Sequence, residues 1–159
     1  MEVSELVKKY LREGLVMQLA TVRGGQPWVC SVYYASDDKL NIYWLSLPTR
    51  RHSEDISVHN KAAITIPVKF DQPVIGLQAE GTVDTVTEPK QIAKLMKLYV
   101  KRYNAGQDFY DNFIAGKNKH LIYRFKPTKF SLFDELNFPK SSSQDWTPGK
   151  SKQQIQRQS

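Results

Sequence analysis

The hydrophobic pattern changes period at Gly14, and that change limits what the chain can become. Before it, Val3, Leu6, Val7, Tyr10 and Leu11 recur at helical spacing, and Gly14 stops the helix. After it, apolar residues come in short β-branched and aromatic runs divided by Gly, Pro, Asp and Asn. Strands are expected over 15–22, 28–35 and 40–46, with turns at 23–27 and 36–39. Such short turns favour an antiparallel meander. In the third strand Leu40, Ile42 and Trp44 share one face, and Asn41 and Tyr43 the other. Pro48 closes that strand. Ser53 is then a candidate N-cap for a short helix to Asn60, with Glu54 and Asp55 in the first turn, where they suit the helix dipole.

Further strands are expected over 62–68 and 74–86. Gly76 and Gly81 inside the second of these mark a bulge or a close backbone approach. Thr87 is the candidate cap of the longest helix, with Pro89 in its first turn and Ile92, Leu95, Met96, Tyr99, Val100 and Tyr103 on its apolar face. Gly106 ends it. A short helix over 108–115 and strands over 120–125 and 129–134 complete the order. The reading is a mainly β chain with helical covers, seven short strands forming a closed or half-open barrel.

At 159 residues the chain is expected to hold one domain, here residues 1–139, followed by a polar tail over 140–159. No apolar run approaches the ~20 residues of a membrane span. The charged, mixed-sign start over residues 1–5 does not read as a signal peptide. The single cysteine, Cys30, excludes an intramolecular disulfide and points to a reducing cytoplasm. The net charge of +7 favours anionic partners. Part of it sits in the tail, where Lys140, Lys150, Lys152 and Arg157 oppose Asp145. No basic cluster is interleaved with aromatics on one element, so a small nucleic-acid-binding barrel is the less favoured partner class. Trp146 is out of character in a polar tail, and residues 138–148 are expected to dock.

Three histidines, His52, His59 and His120, lack the spacing of a metal pair, and no metal site is expected. Cys30 has no base beside it in sequence and reads as a small buried hydrophobe. GxSxG, GxGxxG and GxxxxGK[ST] motifs are absent, which argues against hydrolase, Rossmann and P-loop chemistry. The segment over 46–56 stands apart. It places Arg50, Arg51, His52 and two hydroxyls between a strand end and a helix start. Unpaired N–H groups there, together with guanidinium forks, suit a phosphate. A solvated basic loop before a well-capped helix is the plain alternative.

Three pieces in order resemble the flavin-binding split-barrel family related to pyridoxamine 5′-phosphate oxidase. They are Gly25-Gln26-Pro27-Trp28-Val29-Cys30-Ser31-Val32-Tyr33-Tyr34, then Leu40-Asn41-Ile42-Tyr43-Trp44-Leu45-Ser46, then Arg51-His52-Ser53 with Ile56 and Asn60, followed by the Glu80-Gly81 strand. The likeness covers about residues 5–135. It implies an antiparallel Greek-key split barrel, a homodimer and two FMN molecules at the interface. It implies that backbone at Ser31, Val32, Leu45 and Ser46 runs along the flavin ring. Arg51 and His52 match the basic pair that holds the FMN phosphate, with Arg50 and Ser53 assisting. Gln78 lies on a strand that contributes a polar contact, and Trp146 lies in a segment that reaches over the partner's pocket.

Two departures qualify this. His52 stands where a lysine is common, and the tail lacks the arginine-rich segment that holds substrate phosphate in pyridoxamine phosphate oxidases. The resemblance therefore implies an FMN-dependent oxidoreductase of unassigned substrate, taking hydride at the flavin, with no catalytic residue assigned. A non-catalytic flavin or haem binder is the alternative.

Overall fold

A computed structural model describes residues 1–149. The expected tail beyond Gly149 lies outside the described residues. Helix α1 (Val3–Glu13) is followed by β1 (Val16–Arg23), β2 (Gln26–Tyr33), the two-residue β3 (Ala35–Ser36) and β4 (Ile42–Ser46). Helix α2 (Arg51–Val58) leads to β5 (Lys61–Lys69) and β6 (Ile75–Thr85). Helices α3 (Pro89–Tyr103) and α4 (Gln107–Ile114) precede β7 (Leu121–Asp134) and β8 (Ser143–Trp146). All strand pairs are antiparallel. The sheet runs β2-β1-β5-β6-β7-β4-β3 and curls into a half-barrel.

The expected meander is not what forms. β1 and β2 make a hairpin, but β4 pairs with β7, from Ile42 opposite Phe125 to Ser46 opposite Leu121. Its nearest strand in sequence, β3, is only two residues long. Leu40 does not start β4; it sits in the turn with φ +69°. Both faces of β4 are covered. Ile42 and Trp44 enter the main core, while Tyr43 enters a second cluster with Leu95, Met96 and Ile122 beneath α3 and α4. Tyr34 and Trp44 are fully buried, so most of the aromatic surplus is absorbed within the chain; Trp28 and Tyr33 stay exposed.

The two expected final strands are one. Lys126-Pro127-Thr128 looks like a break, because Pro127 donates no ladder bond. Pro127 falls opposite Gly81, next to the register shift between Glu80 and Gly81, where the ladder is already interrupted. Gly81 is needed there: a Cβ would collide with the Lys126 carbonyl oxygen. Thr87 is not the cap of α3. Glu88 takes that place, its carboxylate accepting from Lys90 N–H at 3.0 Å and Gln91 N–H at 2.6 Å. A carboxylate with two oxygens satisfies two orphan donors where a hydroxyl serves one.

α1 plugs one end of the half-barrel with Leu6, Val7, Tyr10 and Leu11. Tyr10 Oη donates to the buried Asp134 at 2.7 Å, and Asn137 donates to the same carboxylate through its backbone N–H and its Nδ2. The sheet continues past residue 139. β8 pairs with β7 over Phe130–Phe133, and Trp146 stacks on Phe130 with ring centroids 5.8 Å apart. The expected docking of 138–148 is thus a strand addition.

Candidate functional site

Two features could hold a ligand: the turn into α2 and the uncovered face of the sheet. The loop after β4 leaves through Leu47 and Pro48, and Arg50 becomes the residue before the first helical turn. The first helical bond runs from Glu54 N–H to the Arg50 carbonyl at 2.9 Å. The N–H groups of Arg51, His52 and Ser53 therefore precede the ladder, and no side chain caps them. Ser53 is not the N-cap expected of it. It is the third residue of α2, buried, and its Oγ has no hydrogen-bond partner among the described residues. The helix begins three residues earlier than expected, with Arg50 in extended backbone as its N-cap residue, soon after Pro48 has closed off the strand.

Arg51 lies over the Trp28 ring at 4.2 Å and reaches Asp55 at 4.0 Å. Asp55 is fully buried. It accepts from Thr21 Oγ1 at 2.9 Å and faces Arg23 Nε at 3.0 Å, an ion-pair contact without hydrogen-bond alignment. Asp55 thus ties α2 to β1 and sets the helix start beside β2. Arg50 is exposed and has no ion-pair partner among the described residues.

His52 turns the other way, into the barrel. Its Nε2 is 2.7 Å from Ser46 Oγ, and its Nδ1 is 3.4 Å from Cys30 Sγ. Burial lowers its pKa below the ordinary histidine value, and the Arg50 charge lowers it further; the Asp55 carboxylate opposes both. Burial pushes the Cys30 thiol up. The pair is accordingly a neutral imidazole beside a neutral thiol. Cys30 is therefore more than a small hydrophobe: it is half-buried and hydrogen-bonded to a base that lies 22 residues away in sequence. No local signal could have revealed this, because β2 and α2 meet only through the fold.

The remaining site candidates separate by strand alternation. Val32 turns to the core side of β2, and Ser31 to the opposite, uncovered face. Ser46 meets His52, whereas Leu45 packs with the α3–α4 cluster. Register places Ser31, Gln18, Thr65, Gln78, Ser131 and Asp145 on one rung across six strands. Gln78 is three strand spacings from Ser31 along that rung, roughly 14 Å. Within one chain it does not join Arg51 and His52. Trp146 points to Phe130 and the core, while its neighbour Asp145 borders the open face. That face carries two adjoining hollows of about 410 Å³ and about 630 Å³, lined by Gln18, Ala20, Ala63, Thr65 and Gln78 among others.

No group of three or more His, Cys, Asp or Glu among the described residues could hold a metal ion. Nor is any described helix long and apolar enough to cross a membrane.

A curled antiparallel half-barrel with helical covers and a basic turn into a short helix defines the split-barrel class. A family model described as pyridoxamine 5′-phosphate oxidase matches residues 3–133, and the chain belongs to that family. Among curated proteins none matches this sequence. Solved structures share the fold at low identity. A conserved hypothetical protein of Mycobacterium tuberculosis is 17% identical, with TM-score 0.74, over 95% of this chain and 94% of that one. An FAD-binding protein of Mesorhizobium loti is 18% identical, with TM-score 0.64, over 83% and 94%. HutZ, the haem storage protein of Vibrio cholerae, is 17% identical, with TM-score 0.61, over 80% and 91%.

Proposed function

We propose that this chain binds FMN as a homodimer and serves as a cytoplasmic FMN-dependent oxidoreductase. The observation that carries the reading is the uncapped start of α2. Three free N–H groups, the unpaired Arg50 and the half-exposed Arg51 converge on one turn, and the Ser53 hydroxyl there lacks a partner among the described residues. That donor set fits a phosphate monoester dianion. In the proposed complex Arg50, Arg51 and the α2 N–H groups bind the phosphate. His52 orients the turn by holding Ser46, and the β2 and β4 backbones border the ring. Bound FMN would supply two-electron redox chemistry.

Dimerisation is supported by the uncovered sheet face. Ala20 and Ala63 leave it shallow, and a polar rung crosses it, so a second copy can approach closely. Gln78 and the C-terminal strand would then border the partner's site. A non-catalytic carrier of flavin or haem is the second reading, supported by the FAD-binding and haem storage proteins that share the fold.

The test is reconstitution of the purified protein with FMN, FAD and haem in parallel, followed by absorbance and light scattering. Tight FMN binding with a flavin spectrum, a dimer mass and bleaching by NADH or NADPH supports the first reading. A haem Soret band with no flavin retention would overturn it. Flavin retained but never reduced would favour the carrier.

A further inference from the structure

Helix α3 carries Lys90, Lys94, Lys97, Lys101 and Arg102 and no Asp or Glu, five positive charges in a chain whose net charge is +7. Three more net positive charges lie over 140–159, so the rest of the chain is close to neutral. The basic excess of residues 1–139 therefore belongs to one helix. Solvent-facing helices usually mix the two signs, which supplies favourable i,i+4 pairs; α3 forgoes them.

The four lysines stand at spacings of four, three and four residues. At 3.6 residues per turn they fall within an arc of about 60°, opposite the buried Leu95 and Met96. The row is about 16.5 Å long, with rises of about 6, 4.5 and 6 Å between neighbours. All four are exposed, and none has an ion-pair partner among the described residues. Lys8, Lys39 and Lys61 also lack such partners, but they are scattered over α1, a turn and β5, so alignment is what distinguishes α3. Neighbours in the row repel, and Lys90 in the first turn also opposes the helix dipole. Glu88, the nearest acid in sequence, is committed to the N–H groups of Lys90 and Gln91.

The row is held rigidly. Arg102 turns away from it, donating to the Arg12 carbonyl at 3.1 Å and to the Gly14 carbonyl. Tyr103 Oη accepts from Tyr34 N–H at 3.0 Å and donates to the Leu15 carbonyl at 2.7 Å. A straight, fixed, single-signed row suits a linear polyanion. The tyrosines of α3 are engaged elsewhere, Tyr99 with Phe109 and Tyr103 with Tyr33, so the ridge offers no ring on which an unpaired base could stack. Lysine is a point charge and lacks the planar fork that reads a base edge. Backbone phosphates are what remains for such a row to contact. A bilayer suits it less. The apolar face of α3 is packed on Tyr43 and Ile122, and the apolar side chain beside the row, Leu98, is only 39% exposed.

We propose that α3 docks on the sugar–phosphate backbone of duplex DNA, its four lysines along one strand, without reading sequence. The expectation against nucleic acid concerned cations interleaved with aromatics, and a backbone contact needs no aromatics. The surface uses no residue of the flavin reading.

The experiment is fluorescence anisotropy of two short labelled duplexes of unrelated sequence, titrated with the full chain between about 25 and 200 mM salt. Both duplexes are expected to bind alike. The logarithm of the binding constant should fall against the logarithm of salt with a slope of about −3 to −4, the value for four phosphates. Lys94→Gln with Lys97→Gln should reduce that steepness by about two and weaken binding by at least about tenfold in low salt. Glutamine keeps the helix propensity, so the melting temperature should not fall. Lys8→Gln with Lys39→Gln makes the same change of net charge off the row and should leave the slope unchanged. The proposal is overturned if the natural chain does not bind, if the α3 variant binds as the natural chain does, or if the off-row variant loses as much. It is also overturned if a single strand of equal length binds more tightly than the duplex, or if vesicles of phosphatidylserine and phosphatidylcholine bind the chain and the duplex does not. Saturating FMN should leave the complex in place; displacement would assign the DNA to the α2 turn and overturn the assignment to α3.

Discussion

Replacing Arg51 with Ala separates ligand binding from folding, because the structure gives this side chain little to do in the unliganded protein. It loses a stacking contact with Trp28 at 4.2 Å, worth about 0.5–1 kcal/mol at such a site. It also loses a 4.0 Å approach to Asp55, worth about 0.3–0.5 kcal/mol for a half-exposed helical pair. Asp55 keeps Thr21 and Arg23. The total destabilisation is roughly 1–1.5 kcal/mol, which lowers Tm by about 2–6 °C in a chain of this size. If the guanidinium holds the FMN phosphate, a charge-assisted bond of about 1.5–3 kcal/mol also disappears, and FMN Kd rises about ten- to a hundredfold. Arg51→Lys keeps the charge without the planar fork and should fall between. Flavin fluorescence titration measures Kd and a thermal melt measures Tm. An Arg51→Ala protein with the natural Kd and a lowered Tm would refute the assignment, leaving Arg51 a surface packing residue.

Tyr10→Phe removes one donor from the buried Asp134 and should cost about 1.5–3 kcal/mol at neutral pH by chemical denaturation. Burial alone would raise the Asp134 pKa, but hydrogen bonds from Asn137 and Tyr10 bring it below the ordinary carboxylate value. The stabilisation is therefore present above the unfolded carboxyl pKa and fades as pH falls through the folded one. The gap between Tyr10→Phe and the natural chain should narrow in acid; a gap that widens there contradicts the network. Trp146→Ala should lower stability by about 2 kcal/mol, since a partly buried indole and one aromatic stack are lost. An unchanged melt would show that β8 does not hold to the sheet in solution. Cys30 should alkylate more slowly than a free thiol at pH 7, because burial raises its pKa and His52 stays neutral; a rate above that of free cysteine would mean His52 draws off its proton.

What could be read from the chain alone was local. Met17, Leu19 and Thr21 turn inward from β1 while Gln18 and Ala20 turn outward, as strict alternation requires. The glycine at position 81 marked a close approach, and the Lys126 carbonyl is what approaches. The misread features share one cause. Cap choice at Thr87 and Ser53 depends on where the preceding chain enters, and β4 pairing depends on β7, some eighty residues on. The basic turn before α2 was legible as a phosphate-type site because all its parts are contiguous. The inward aim of His52 was not, because its partners Cys30 and Ser46 belong to strands that join different parts of the sheet.

That aim has a mechanical meaning. β2 ends the sheet on one side, and β4 lies next to the other end, so no backbone ladder joins them. The imidazole touches a side chain from each and acts as a rivet across the gap. It is a rivet that holds best uncharged, because a protonated ring can no longer accept from the thiol. With a folded pKa below that of the unfolded chain, its contribution persists above the unfolded histidine value and drains away as pH drops towards the folded one. Mild acid should therefore loosen the mouth of the half-barrel at β2 before the rest of the sheet gives way.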